Sequence, residues 1–197
     1  MRARFSALLA ASMVLGLAGS AATHAQTAGS TADYDAMMEE WQKYMMPGEP
    51  HQELSYYVGD WTFVNHMDMA GQTTTSEGSA HVEMMMGGRY LHAMHRSEMM
   101  GMPFEGAGIT GYDNFTQEYF NVWFDSMGTG VMVSRGKKDA DGNLTVRGTM
   151  PDPMQGEVSY RMVSTITGKD TYTYEMFASS PDGETRVMEI LYTRVKS

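Results

Sequence analysis

The feature of this sequence that most constrains its fold is the strict two-residue alternation of Tyr57–Met69, which reads YVGDWTFVNHMDM. If this segment is extended, Trp61, Phe63 and Met67 share one face, and the side chains between them share the other. Such a pattern is typical of a strand whose sheet buries one face and exposes the other. The segment therefore predicts one wall of a half-buried sheet.

Nine further runs of the same kind follow. The ten predicted strands are 57–69, 73–86, 89–99, 104–112, 117–126, 129–138, 143–150, 157–167, 170–179 and 184–195. The joins are short and carry turn residues, as at Ala70-Gly71 and Asp141-Gly142, so successive strands are expected to be antiparallel neighbours. An open sheet would leave two unpaired edges. We therefore predict an all-β fold, an up-and-down antiparallel β-barrel of about ten strands, with a count of eight also open.

The N-terminal segment has the composition of a secretory signal peptide. Residues 1–25 begin with Arg2 and Arg4, continue with an apolar run and end with small residues before Gln26. The leader predicts a periplasmic or secreted protein. We expect a linker and short helix over 26–50 and one barrel domain over 51–197, because a chain of this length forms one sizeable core.

A helix is predicted from Tyr34 to Met46. Met37, Trp41 and Met45 fall on one helical face, and Pro47 follows directly. We expect this helix to pack on the barrel or plug one end of it. A methionine-rich metal or partner site is the alternative.

Charge and cysteine content exclude several function classes. The formal net charge is −10, which disfavours nucleic acid and anionic membrane surfaces as partners. The chain has no cysteine, so it forms no disulfide and has no thiolate chemistry. The leader is too short for a membrane span, so no integral membrane segment is predicted. The sequence leaves the oligomeric state open, a homo-oligomer included.

The alternation also indicates which side chains could line an interior pocket. Asn121, Trp123 and Asp125 share one face of a predicted strand, and a mixture of aromatic and polar groups is typical of a ligand pocket. An outer face with scattered aromatic residues is the equally weighted alternative. A barrel of this size can hold a small ligand. The predicted ligand-binding residues, taken from different strands, are Trp61, Phe63, Tyr90, Trp123, Asp125, Tyr174 and Glu189.

Residues 81–102 combine histidine and methionine, and the chain holds 22 methionines. Imidazole and thioether groups together suit copper(I). Alternation places His92 and His95 on opposite faces of a strand, however, so the linear cluster divides in two. The predicted metal donors are His95, Met99, Met100 and Met102. Methionine used as adaptable core filling is the competing interpretation.

Several motifs support a family resemblance. They are LSYYVGDW at 54–61, GGRY at 87–90, FEGAGITGYD at 104–113, WFDSMG at 123–128 and the closing segment 186–194. With them, the chain from about His51 to Arg194 resembles the uncharacterised bacterial family catalogued as domain of unknown function 1579. The resemblance implies a lipocalin-like, or calycin, barrel and no known activity.

Two other barrel groups are similar in part. Gly59-Asp60-Trp61 resembles the Gly-x-Trp that opens the first strand of lipocalins, which implies that Trp61 closes one barrel end. Nitrobindins are ten-stranded barrels that bind haem through a histidine near the C-terminal end. The last histidine here is His95, so a haem-ligating histidine is missing from the expected place, and ligation through Met or Tyr is a weakly supported alternative.

The sequence offers no familiar catalytic motif. It lacks a cysteine nucleophile, Gly-x-Ser-x-Gly, His-Glu-x-x-His and a glycine-rich phosphate loop, and we assign no catalytic residue. Asp125, Glu175 and Glu189 could act as acid and base only if they converge inside the barrel. The leading hypothesis is a barrel that binds a small, largely apolar molecule. Copper binding by 81–102 and a structural or interaction barrel without a ligand are the alternatives.

Overall fold

Ten antiparallel strands wind into a closed barrel, as the alternation predicts. The computed structural model describes residues 31–69 and 71–196; the predicted signal peptide lies outside them. The strands are β1 (Gly59–Met69), β2 (Gln72–Met85), β3 (Tyr90–Met99), β4 (Met102–Asp113), β5 (Glu118–Asp125), β6 (Met132–Lys138), β7 (Leu144–Asp152), β8 (Gly156–Ile166), β9 (Thr171–Ser180) and β10 (Gly183–Arg194). Each strand pairs with its neighbours in sequence, and β1 pairs with β10.

In the described part of the chain, two helices and a short turn precede the barrel. They are α1 (Thr31–Met45), α2 (Glu49–Leu54) and a 3-10 turn at Ser55–Tyr57. The predicted helix is therefore present, but α1 contains no buried residue. The plug is supplied instead by α2 and the turn, where Leu54 is buried in the core.

Side-chain hydrogen bonds tie the end of α1 to the barrel. The Asn114 side-chain nitrogen Nδ2 donates to the carbonyl oxygens of Lys43, Tyr44 and Met46. The Arg89 guanidinium donates to the carbonyl of Met45. These donors satisfy carbonyl groups at the end of the helix, which have no partner within it. No helix among the described residues is long and apolar enough to cross a membrane.

The helix-bearing end of the barrel is closed by Trp61, as the Gly-x-Trp resemblance implies. Trp61 is fully buried, and its indole nitrogen donates to the carbonyl of Tyr57 at 2.8 Å. The Arg194 guanidinium carbon lies 4.0 Å from the centre of the Trp61 ring. Arg194 also donates to the carbonyls of Val58 and Tyr56. One cation thus joins the last strand to the segment that enters the first.

Candidate functional site

The candidate site is the barrel interior, which we call the lumen. On β3, alternation directs Leu91, Ala93 and His95 inward. The opposite end from Trp61, which we call the mouth, is formed by the hairpins between β1 and β2, β3 and β4, β5 and β6, β7 and β8, and β9 and β10. Between the two ends, the lumen wall combines aromatic rings with a few polar groups.

His95 lies at the centre of an aromatic cluster. Its ring centre is 5.2 Å from that of Trp123, 5.8 Å from Phe63 and 6.0 Å from Tyr192. The Nε2 atom shares a hydrogen bond of 3.1 Å with the Tyr192 hydroxyl. Burial lowers the pKa of His95 to about 4, because the interior disfavours the charged imidazolium. His95 is therefore a neutral polar group at pH 7.

Three buried polar atoms face this interior with no hydrogen-bond partner among the described residues. They are Oδ1 of Asn65, Nδ1 of His95 and Oγ of Ser134. Asn65 is 7% exposed and Ser134 is 1% exposed. Strands β1 and β6, which carry Asn65 and Ser134, lie on opposite sides of the ten-stranded barrel. An unpaired buried polar group costs about 1–3 kcal/mol, so each of these three atoms would be stabilised by a hydrogen-bond partner in the lumen.

Trp123 and Asp125 form a polar pair on β5, nearer the mouth. The Trp123 indole nitrogen donates to Asp125 Oδ2 at 2.8 Å, and the backbone N–H of Met127 donates to Oδ1 at 2.9 Å. A Cβ atom on Gly106 would lie 2.4 Å from the Trp123 ring. Only glycine at this position of β4 lets the indole lie flat against the wall.

Several side chains of the lumen wall are only partly buried. Trp123, Tyr174 and Ile190 project inward, yet each keeps partial exposure. Small side chains, such as Ala93 and Ala178, occupy other inward positions. A solidly packed core would bury side chains of this size almost completely. The interior therefore offers surface that a small molecule could contact.

Two concave surfaces also lie at the closed end. One, of about 330 Å³, is beside α2; the other, of about 350 Å³, is between α1 and the outer wall. Charged groups on both surfaces are already paired. Glu53 accepts from the Tyr119 hydroxyl and lies 2.8 Å from the Lys138 ammonium nitrogen, and Arg89 donates to the carbonyls of Met86 and Met45. The unpaired polar groups favour the lumen over these surfaces.

The structure brings together five of the seven predicted ligand-binding residues on the inner face of the wall. Trp61 and Phe63 lie in the core, and Trp123, Asp125 and Tyr174 face the lumen. The two remaining residues, Tyr90 and Glu189, lie on the outer face.

The outer positions follow from the strand pairing. Tyr90 packs against Phe120 with ring centres 6.0 Å apart. Glu189 lies 2.8 Å from the Arg186 guanidinium, which also binds Glu175 at 2.8 Å. The carboxylates of Glu175 and Glu189 therefore do not converge with that of Asp125.

The predicted metal donors are not brought together at one point. His95 is in the lumen, whereas Met99, Met100 and Met102 belong to the β3–β4 hairpin. Four residues of extended chain span about 13 Å, which separates His95 from that hairpin. Met100 and Met102 are 64% and 49% exposed. Among the described residues, no group of three or more His, Asp or Glu side chains could hold a metal ion.

Sequence reasoning missed Asn65, Ser134 and Tyr192 as lumen residues. The available signal for Asn65 was its parity, since it lies on the same face of β1 as Trp61 and Phe63. Ser134 and Tyr192 gave no such signal, because polar and apolar side chains occur on both faces of their strands.

Comparison with known proteins agrees with this architecture. The family model described as "Protein of unknown function (DUF1579)" matches residues 46–194. No curated protein is similar in sequence to this chain. The S-type phycobiliprotein lyase CPES from Guillardia theta superposes with a TM-score of 0.55 at 9% identity, covering 80% of this chain and 98% of the lyase. Rv2717c from M. tuberculosis superposes with a TM-score of 0.54 at 14% identity, covering 77% of this chain and 100% of that protein. At these identities the likeness concerns the fold alone.

Proposed function

Because the chain belongs to the DUF1579 family, whose description assigns no activity, we propose a function from the barrel interior: the protein binds a small, largely apolar molecule in the lumen. The proposal includes the periplasmic or secreted location that the leader predicts. The observation that carries it is the set of unpaired polar atoms on Asn65, His95 and Ser134 within an aromatic wall. Ligand pockets commonly combine a mostly apolar surface with a few polar groups that orient the ligand.

A ligand in the lumen would change the surroundings of the unpaired polar atoms. An unpaired buried acceptor or donor is unfavourable in the free protein, and a ligand that supplies its partner removes that cost. The rings of Phe63, Trp123 and Tyr192 would exclude water from the apolar part of the ligand. The wall is pre-formed by β-strands, so little conformational entropy is lost on binding.

A neutral solvatochromic dye, Nile red, tests this proposal. We expect saturable enhancement of its emission with the wild-type protein and quenching of Trp123. Ala178 projects into the lumen on β9. The variant A178F should fill that space and weaken dye binding at least tenfold.

The matched control is T193F, because Thr193 is exposed on the outer face of β10. It should bind dye as the wild type does, and circular dichroism should show the same strand content in both variants. Equal dye affinity in A178F and T193F would place the dye outside the barrel and refute the proposal.

A further inference from the structure

The lumen presents hydrogen-bond acceptors and negative charge near its mouth. Among the described residues, the inward positions between the closed end and the mouth hairpins carry two charged side chains, both acidic: Asp125 on β5 and Asp152 at the end of β7. No salt bridge pairs Asp125 with a cation among those residues, whereas Arg194 and Lys138 at the closed end are engaged by Asp170 and Glu53. A cationic group would therefore find an uncompensated carboxylate in the lumen.

The Asp125 carboxylate is oriented but not saturated. Each of its oxygens accepts one hydrogen bond, from the Trp123 indole and from the Met127 backbone. A carboxylate oxygen can accept a second bond, so both retain capacity. Asn65 adds an amide oxygen that is buried and unpaired. The fixed side chains of the lumen thus offer acceptors to groups that donate.

The aromatic wall also favours a positively charged ligand. Aromatic faces attract cations, and Phe63, Trp123 and Tyr192 surround the neutral His95. The whole chain has a formal charge of −10, which attracts cations and repels anions before contact. The Asp125 carboxylate, the aromatic faces and the net charge of the chain therefore all favour a cationic ligand.

We propose that the lumen ligand is a small conjugated organic cation that carries N–H groups; this inference rests on the interior binding site proposed above. The protonated nitrogen donates to Asp125, and the flat apolar body packs against the Trp123 and Phe63 rings. A further N–H group on the ligand matches the unpaired oxygen of Asn65. Anionic molecules of the same size are excluded by the Asp125 carboxylate.

Three dyes of different charge test the inference. Proflavine is a planar cation with two amino groups, Nile red is neutral, and anilinonaphthalene sulfonate is an anion. A charge-assisted hydrogen bond contributes about tenfold or more in affinity. The variant D125N should therefore weaken proflavine binding about tenfold and change Nile red binding less than twofold. The anion should bind D125N more tightly than the wild type.

Two further variants separate the effect of the Asp125 charge from a structural effect of the substitution. D125E keeps the negative charge and should retain most of the proflavine affinity. E189Q removes a carboxylate from the outer face and should leave all three affinities unchanged. If D125N weakened proflavine and Nile red equally, Asp125 would have only a structural role and the inference would fail.

The outcomes distinguish the two proposals. Nile red bound in the lumen, with no loss of proflavine affinity in D125N or with the anion bound as tightly as the cation, overturns the cation inference and leaves interior binding intact. Absence of lumen binding by every dye overturns both. Selective loss of proflavine in D125N supports both.

Discussion

Replacing Asn65 with leucine tests whether the lumen carries polar groups at a cost to the free protein. Asn65 is 7% exposed on β1, and its Oδ1 atom has no partner among the described residues. Leucine has a similar shape and no polar atom. Removal of an unpaired buried acceptor should recover about 1–3 kcal/mol, so N65L should be more stable than the wild type by an amount in this range.

Urea denaturation followed by circular dichroism measures the change. With a slope of about 2 kcal/mol per molar urea, the midpoint should rise by about 0.5–1.5 M. The matched control is N121L, since Asn121 also faces the lumen but its Nδ2 atom donates to Thr110 Oγ1 at 2.9 Å. N121L breaks an existing hydrogen bond and should lose about 1 kcal/mol.

The same variant should bind the lumen ligand less tightly, because the acceptor that the ligand satisfies is gone. Proflavine affinity should fall in N65L although the protein is more stable. A lower urea midpoint in N65L, comparable with that of N121L, would show that the Asn65 oxygen is satisfied in the folded protein. The Asn65 oxygen would then give no support to a ligand site in the lumen.

Three further changes follow from the structure. The pKa of histidine is near 6.5 in the unfolded chain, and the pKa of His95 is about 4 in the folded protein, so between these pH values only the unfolded chain binds the proton. From pH 7 to pH 5, the free energy of unfolding should therefore fall by about 2 kcal/mol more in the wild type than in H95Q. Urea titration at the two pH values measures this difference. G106A should cost about 1–3 kcal/mol by forcing the Trp123 ring off the wall, whereas G130A, at a position with open space, should be neutral in the same assay. R194M should lower the thermal midpoint by several degrees, because it removes the donors to Val58 and Tyr56; an unchanged midpoint would contradict the role given to this cation.

The ten strands and the closure of the barrel could be predicted because a strand with one buried face alternates in sequence. The plug could not. Residues 48–54, GEPHQEL, have the appearance of a linker, yet Glu49–Leu54 forms α2. A helix of six residues is too short to be stable alone. It is held by tertiary contacts, with Leu54 at 2% and His51 at 4% exposure, which a local pattern does not reveal.

On β5 the alternation grouped the candidate residues but left open which face they occupy, because both faces carry aromatic side chains. Trp123 and Asp125 share a parity on β5 and do face the lumen. On β10 both faces carry apolar residues, and the pairing with β9 shifts between Arg186 and Met188. Alternation alone therefore could not show that Glu189 points outward. Only the register with neighbouring strands decides this, and register is a tertiary property.

The closed end shows that this chain can satisfy its buried polar groups where structure alone requires it. There, the Trp61 indole, the Arg194 guanidinium and the Tyr119 hydroxyl all donate to identified acceptors. The unpaired atoms of the lumen therefore do not reflect a general tolerance for unsatisfied groups. Apolar substitutes of similar shape exist for Asn65 and Ser134, so the presence of polar groups at these positions supports the proposal that a ligand binds in the lumen.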